Sequence, residues 1–472
     1  MLAVMGLVFA AILVRLADVQ AVQAGRYAAY GVSERLHSVA VPALRGPILD
    51  RNGKVLAMSV ALQTIYADPH LVSDPASEAR QLAPALGMDE ATLQKDLSAD
   101  SGFVYLAHTV DNSVAAKVKA LNLAGIGFLT EPKRFEPNGD LLSSVVGTVG
   151  YDGHGQSGLE YQYDSSLSGK AGLVQIQEGI GGQRIPGTPE QRTPAVNGKG
   201  LELTIDTAMQ YEVEQAVARQ VVAMHAESGT AVIVSSHTGQ ILALANVVNT
   251  ADANTLAAQA AAKPAPAPTD PAQLAKLTAP APSDSAFTQV YELGSVMKGV
   301  TISAALETGA VVPATRFTVP DSTLFSGAVI HDAEPHPTES WTVPDILSYS
   351  SNVGTLQISQ RLGAQQIYRY MRAFGLGSTT GMKVPGESAG LVPAPSSWSG
   401  TSIATIPIGQ GIAVTPMQML DVYNTIANGG VFVPPRLIKG MVQADGSVLS
   451  QPPGATRRVV SAATARRMTA ML

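Results

Sequence analysis

The chain has 472 residues, of which 14% are charged, with a net charge of −6 and no cysteine. That length accommodates two or three domains with substantial apolar cores. The acidic balance argues against nucleic acid as a partner. The missing cysteine removes disulfides, thiolate chemistry and cysteine-ligated zinc, while leaving the compartment undetermined.

Met1 to Val14 is an unbroken run of apolar or small residues, closed by Arg15 and Asp18. Such a run is shorter than the roughly 20 residues a full membrane span requires, and no Lys or Arg precedes it to set an orientation. It reads as a buried helix, a signal segment, or a membrane anchor whose cytoplasmic start is missing. The last is favoured, because Ala21-Val-Gln-Ala24 resembles a cleavage site only loosely. A helix is expected to continue from Arg15 to about Leu36, giving a first segment of residues 1–36.

Residues 37–195 form a second segment. Asn52-Gly53 between short apolar runs predicts a hairpin, with Arg45, Asp50 and Arg51 as an ion-pair network around it. Residues 75–122 read as mostly helical, and Glu131 to Gly139 as a loop with turn chemistry. Gly147 to Gly158 is glycine-rich, but no Gly-Lys-Ser/Thr follows, which argues against a phosphate loop. Gly179-Ile-Gly-Gly182 reads as a turn. No convergent set of titratable side chains appears here, so this half resembles a pedestal or interaction module.

A boundary falls near Pro194 to Gly200, opening a third segment, 196–472. Leu201 to Asp206 predicts a strand, Thr207 to Ala226 an amphipathic helix capped by Asp206 or Thr207, and 230–235 with 240–245 a hairpin. Residues 251–284, rich in Ala, Pro and Thr, predict a mobile surface loop. Val312 to Pro337 reads as irregular. Within it, His331-Asp-Ala-Glu-Pro-His336 gathers imidazoles and carboxylates without the spacing of a metal site, and is expected to be a solvated loop. Helices are expected from Trp341 and from Leu356 to Phe374, with Gly375 as a stop. Another begins at Thr415-Pro416 and ends at Asn428-Gly429, and a last one runs from Ala462 to Leu472.

The chemistry concentrates at Gly294-Ser-Val-Met-Lys298. Ser295 and Lys298, three apart at a helix start, share one face. A serine hydroxyl needs a base to become a nucleophile, and a buried lysine with a lowered pKa can be that base. Further on, Ser350-Ser-Asn352 places a hydroxyl and a carboxamide on a tight turn. Ser-x-x-Lys followed by Ser-x-Asn is the motif order of penicillin-interacting serine acyltransferases. Arg45-Gly-Pro-Ile-Leu-Asp-Arg-Asn-Gly53, Leu203-Thr-Ile-Asp206 with Gln210, Thr238-Gly-Gln-Ile-Leu-Ala243 and Gly409-Gln-Gly-Ile-Ala-Val-Thr-Pro416 extend the likeness. Together they resemble the class B penicillin-binding proteins, most closely the division-type (septal) members.

The resemblance implies an α+β multidomain chain. Its parts would be a membrane-anchor helix, an elongated N-terminal pedestal domain, and a transpeptidase domain with a mainly antiparallel sheet flanked by helices. It implies a peptidoglycan D,D-transpeptidase with catalytic residues Ser295, Lys298, Ser350 and Asn352, and neither cofactor nor metal. The expected partners are D-Ala-D-Ala stem peptides, β-lactams, the membrane, a membrane glycan polymerase and other division proteins. The expected location is the cell membrane, single-pass, with the bulk of the chain extracytoplasmic. Glu292-Leu-Gly-Ser295 replaces the family's usual Glu-Pro-Gly-Ser, which costs no reacting group. A Lys-Ser/Thr-Gly motif is absent from the sequence. The chain is therefore expected to be a fragment clipped at the C-terminus, and at the N-terminus too, with poor activity and solubility. The same fold also serves as a β-lactam sensor or D,D-carboxypeptidase, and a third role is a non-enzymatic scaffold regulating a glycan polymerase.

Overall fold

The computed structural model describes residues 1–177, 191–259, 263–264 and 266–472. The turn expected at Gly179–Gly182 lies outside these. The chain divides into two interleaved units, one of residues 1–46, 59–134 and 166–198 and the other of residues 47–58, 135–165 and 199–472.

The first unit opens with the helix Leu2–Ala17, prolonged by a π-helical turn, Asp18–Val22. Together they form 21 helical residues, the most apolar 18 of which have a mean hydropathy of 2.2, long and apolar enough to cross a membrane. At 1.5 Å per residue this is about 31 Å, the thickness of a bilayer's hydrocarbon core. Ending the run at Val14 underestimated it. Arg15 meets Asp18 at 2.6 Å, one turn on, so the two charges satisfy each other and the helix continues. After the helix Ala24–Arg35, strand Leu36–Val41 pairs antiparallel with Gly172–Gln177, which takes Gln191–Thr193 on its other side.

Helices Pro75–Leu86 and Glu90–Leu97 are capped by Asp74 and Asp89, whose carboxylates accept from Ser77 N–H and Thr92 N–H. They pack on Ile65, Leu106 and Val118 in a small core. Not everything between 75 and 122 is helical. Val104–Val110 is a strand paired with the later residues of strand Val55–Ala67. Its alternation buries only Leu106, too brief a pattern to stand out between helical stretches. Likewise Glu131 to Phe135 belongs to strand Ile126–Phe135, and the turn comes after it, with Gly139 at φ +59°.

In the second unit, Ile48–Leu49 and the first residues of Val55–Ala67 form the hairpin expected at Asn52-Gly53, with Gly53 at φ +80°. Among the described residues the Asp50 carboxylate takes part in no ion pair. Asp50 is fully buried and accepts from Asn52 N–H at 2.7 Å, Lys54 N–H at 2.9 Å and the Thr207 hydroxyl at 2.6 Å. Local backbone donors satisfy the carboxylate more cheaply than a guanidinium that would itself need desolvating. Strand Gly200–Leu203 runs parallel to Ile48–Leu49 and antiparallel to Ile438–Val442. Asp206 caps the helix Thr207–Ala223, which packs on strand Ile241–Asn249. The buried Gln210 side chain bonds both N–H and C=O of Leu244, at 2.7 and 2.8 Å, and so fixes helix to strand.

Strands Ser228–Val234 and Ile241–Asn249 form the expected hairpin. The described part of 251–284 is not the loose loop predicted from its composition. Thr278–Pro280 adds a strand to Ile241–Asn249, and Leu256 and Leu274 are buried, so two leucines suffice to dock an Ala/Pro-rich segment. The irregular stretch expected at 312–337 contains short pairings instead, Arg316–Val319 with Glu339–Thr342 and Ser322–Phe325 with Ala328–His331. The main core surrounds the helix Lys298–Glu307, buried along nine of its ten residues. Helices Asn352–Leu362, Ala364–Phe374 and Ala462–Met471 pack around it.

Candidate active site

Ser295 lies in a 3₁₀ turn, Gly294–Met297, that runs directly into the helix Lys298–Glu307. In a 3₁₀ turn residues three apart eclipse, which stacks Lys298 under Ser295 more closely than an α-helix does. Two glycines allow the turn to be approached. Gly294, at φ +58°, donates its N–H to the Gly409 carbonyl at 3.1 Å. A Cβ on Gly409 would sit 2.1 Å from the Gly294 carbonyl oxygen. Gly411 N–H donates to Glu292 at 2.8 Å, and Tyr423 OH donates to the Val296 carbonyl at 3.0 Å. The loop carrying Gly409 and the helix Pro416–Ala427 thus hold the serine turn from two sides.

Ser295 is exposed while Lys298 is 1% exposed. Lys298 Nζ lies 3.2 Å from Ser295 Oγ, 3.0 Å from Ser350 Oγ and 2.8 Å from Asn352 Oδ1, and it also donates to the Ser350 carbonyl. Among the described residues Lys298 has no ion pair. Burial pulls its pKa from the ordinary 10.5 down to about 8, with Asp332 pulling the other way. A neutral amine has two N–H donors and one lone pair. The Ser350 carbonyl and Asn352 Oδ1 are acceptors only and take both donors. The lone pair is then left for a serine hydroxyl.

Ser350 holds its place through an unusual backbone. It sits at φ +54°, the left-handed region, just beyond the helix Val343–Ser348. There its N–H bonds the Leu347 carbonyl at 3.0 Å, and the next N–H, of Ser351, bonds Ile346 at 2.9 Å. A non-glycine residue held there costs about 1–3 kcal/mol; the strain aims both oxygens of Ser350 at Lys298. Ser351 turns inward and caps the next helix by accepting Gly354 N–H at 2.8 Å. Asn352 is the first residue of that helix, and its Nδ2 donates to the His331 carbonyl at 3.0 Å.

All four residues predicted from the motifs, Ser295, Lys298, Ser350 and Asn352, therefore converge on one amine. Sequence reasoning missed Asp332. The run from His331 to His336 is largely the exposed loop expected, but Asp332 turns inward: it is 9% exposed and accepts the N–H groups of Asn352 at 2.6 Å and Val353 at 2.9 Å. A carboxylate capping a helix from twenty residues upstream leaves no local spacing to find. Among the described residues no three His, Asp or Glu side chains gather as a metal-binding group.

Residues 229–472 match the penicillin binding protein transpeptidase domain, and residues 40–203 the penicillin-binding protein dimerisation domain. The chain is 37% identical over 451 residues to Penicillin-binding protein PbpB of Mycobacterium tuberculosis, covering 91% of this chain and 64% of that protein's length. It is 29% identical to Peptidoglycan D,D-transpeptidase FtsI of Escherichia coli, covering 92% and 71% of the two. The crystal structure of penicillin binding protein 3 from Mycobacterium tuberculosis, complexed with aztreonam, matches with a TM-score of 0.65 at 32% identity, covering 92% of this chain and 75% of that one. Carrying a dimerisation domain and a transpeptidase domain, the latter with this serine–lysine centre, the chain belongs to the class B penicillin-binding proteins, with division-type transpeptidases among its relatives.

Proposed function

We propose that the protein is a peptidoglycan D,D-transpeptidase working through a serine acyl-enzyme during cell division. In this reading Lys298, as the free amine, takes the Ser295 proton while Ser295 Oγ attacks the penultimate D-alanine carbonyl of a stem peptide. The backbone N–H of Ser295 faces the developing oxyanion, a contact of a kind worth about 2.7–4 kcal/mol per donor. Ser350 passes a proton to the departing amine, the terminal D-alanine leaves, and Asn352 holds both Lys298 and the substrate amide. An amine from a neighbouring strand then takes the acyl group and Ser295 regains its proton. β-Lactams react at the same serine because their strained amide imitates the substrate. The helix Leu2–Val22 anchors the chain by a single pass with the bulk extracytoplasmic, residues 37–195 serve as a pedestal, and a membrane glycan polymerase is the natural partner.

The observation that carries this reading is the buried Lys298 amine, with no carboxylate pair among the described residues, 3.2 Å from Ser295 Oγ. The test is labelling of the membrane-inserted protein, expressed from its own gene, with a fluorescent penicillin. Stoichiometric labelling that Ser295→Ala abolishes supports the reading. Release of free D-alanine from a stem pentapeptide without any cross-linked dimer would make the protein a carboxypeptidase instead.

A further inference from the structure

Behind the Lys298–Asn352 contact lies a second pair that the steps above leave unused. Asp332 Oδ1 accepts the N–H groups of Asn352 and Val353, and its Oδ2 faces His336 Nε2 at 3.0 Å. The other ring nitrogen, His336 Nδ1, lies 2.8 Å from the Pro337 carbonyl oxygen. Both nitrogens therefore face an acceptor. A neutral imidazole can satisfy only one of these, whereas an imidazolium satisfies both. The ring is well covered, with a side-chain exposure of 15%. It lies against Trp341, with centroids 4.4 Å apart.

The charged and titratable groups around it come from several elements. Asp332 and Asp321 flank the hairpin Ser322–Phe325/Ala328–His331, and Glu339, held by the Trp341 indole N–H at 2.9 Å, comes from the strand beside it. Tyr349 also stacks on Trp341. Lys298 stands at the other end of the chain of contacts that runs through Asn352. The carboxylates outnumber the cations, so the site favours a protonated ring.

We propose that His336, as an imidazolium paired with Asp332, is a positioning residue for acyl transfer: it offsets the Asp332 charge felt at Lys298 and steadies the helix start from which Asn352 reaches the amine. Asp332 is needed as the cap of that helix, yet its negative charge favours a protonated Lys298, which is no base. A neighbouring positive charge on the far side of the carboxylate resolves the conflict while leaving the cap intact. The Pro337 carbonyl first, and then Asp332 and Asp321, hold the His336 pKa above its ordinary value. As pH rises through that raised value the ring loses its proton, Asp332 is no longer offset, and Lys298 holds its own proton more tightly.

This inference rests on Lys298 being the base, and the test separates the two. In full-length protein carrying ¹³C-labelled lysine and histidine side chains, the Lys298 Cε and His336 Cε1 resonances are followed against pH. Acylation by a fluorescent penicillin is measured over the same range. The Lys298 curve of the unaltered protein should carry a second inflection at the His336 midpoint. His336→Gln should raise the Lys298 midpoint by roughly 0.5–1 pH unit and slow acylation at pH 7 three- to tenfold, with the two proteins converging at higher pH. Asp332→Asn should move the midpoint down. An unmoved Lys298 midpoint in His336→Gln, or a loss of acylation equal at every pH, overturns the proposal. Should His336→Gln not fold, the inflection in the unaltered protein decides. Should the unaltered protein not be acylated at all, the transpeptidase reading fails, while the lysine titration still rules on the coupling.

Discussion

Gly294 and Gly409 face each other backbone to backbone: the N–H of one meets the carbonyl of the other at 3.1 Å, in a gap with no room for a Cβ on Gly409. Gly409 is also at φ +86°, where an alanine is strained whatever the space. Gly409→Ala should therefore cost about 2–3 kcal/mol of stability, seen as a lower thermal midpoint, and should displace the turn that carries Ser295. Acylation by penicillin should fall at least tenfold at a temperature where the variant is still folded. If acylation were retained at the unaltered rate, the loop around Gly409 would have no part in setting the serine's position.

Lys298 should trade stability for reactivity. Its folded pKa of about 8 lies below the ordinary 10.5, so between these values the unfolded chain carries a proton that the folded one lacks. Stability then rises as pH climbs from about 8 toward 10, and the full penalty of burying the charge is felt below 8. The shift corresponds to about 3 kcal/mol. Lys298→Met should lose acylation by a factor on the order of a thousand or more yet melt at a higher temperature at pH 7 than the unaltered protein. Acylation of the unaltered protein should climb with pH toward 8, the limb on which the amine becomes free. A destabilised Lys298→Met would mean that the amine's four contacts outweigh its desolvation.

What could be read beforehand separates by range. The Ser295–Lys298 pairing, the Asn52-Gly53 hairpin and the caps at Asp206 and Thr415 are set by residues within a turn of each other, and each is visible as a spacing. Asp332 caps a helix that begins at Asn352, and Gln210 grips Leu244. Both are contacts between distant stretches, and neither leaves a periodic trace. The strand Val104–Val110 was missed for a related reason: pairing with Val55–Ala67 creates it, whereas its own seven residues suit either state. Composition misled at 251–284, where Leu256 and Leu274 dock a segment that otherwise has the residues of a linker.

Asp284 should make the second unit less stable as pH rises from about 4 to about 7. It is buried with Asn246 Nδ2 at 3.1 Å and Ala286 N–H at 3.2 Å as donors, and burial, the dominant cause, lifts its pKa to about 7. A raised carboxyl pKa means that the folded chain keeps a proton the unfolded chain has lost. Stability conferred at acid pH accordingly declines from about pH 4 to pH 7 and is flat above. Asp284→Asn, neutral throughout, should flatten that decline and raise the melting temperature at pH 8 by a few degrees, with little change at pH 4. An equal shift at both values would point to altered packing and away from titration.

Asp50 should behave in the opposite sense. Its carboxylate is fully buried, yet its pKa is lowered: burial raises it, but the Thr207 hydroxyl and the N–H groups of Lys54, Asn52 and Thr207 together outweigh that effect. The stability it contributes is present above the ordinary carboxyl pKa and is lost as pH falls through the lower folded value. Asp50→Asn keeps one acceptor for the hairpin N–H groups but turns an amide donor toward Thr207, whose hydroxyl can rotate to accept it while the Thr207 N–H is left without an acceptor. At pH 7 the variant should lose about 2 kcal/mol. The deficit should shrink as pH is lowered toward 3, where the native carboxyl also begins to carry a proton. Asp50→Ala, which strips both oxygens from the Asn52-Gly53 turn, should lose more. Denaturant midpoints for the three proteins at pH 7 and below pH 3 decide the matter. Equal deficits at both pH values would show that Asp50 acts through its shape alone, with the hairpin indifferent to its charge.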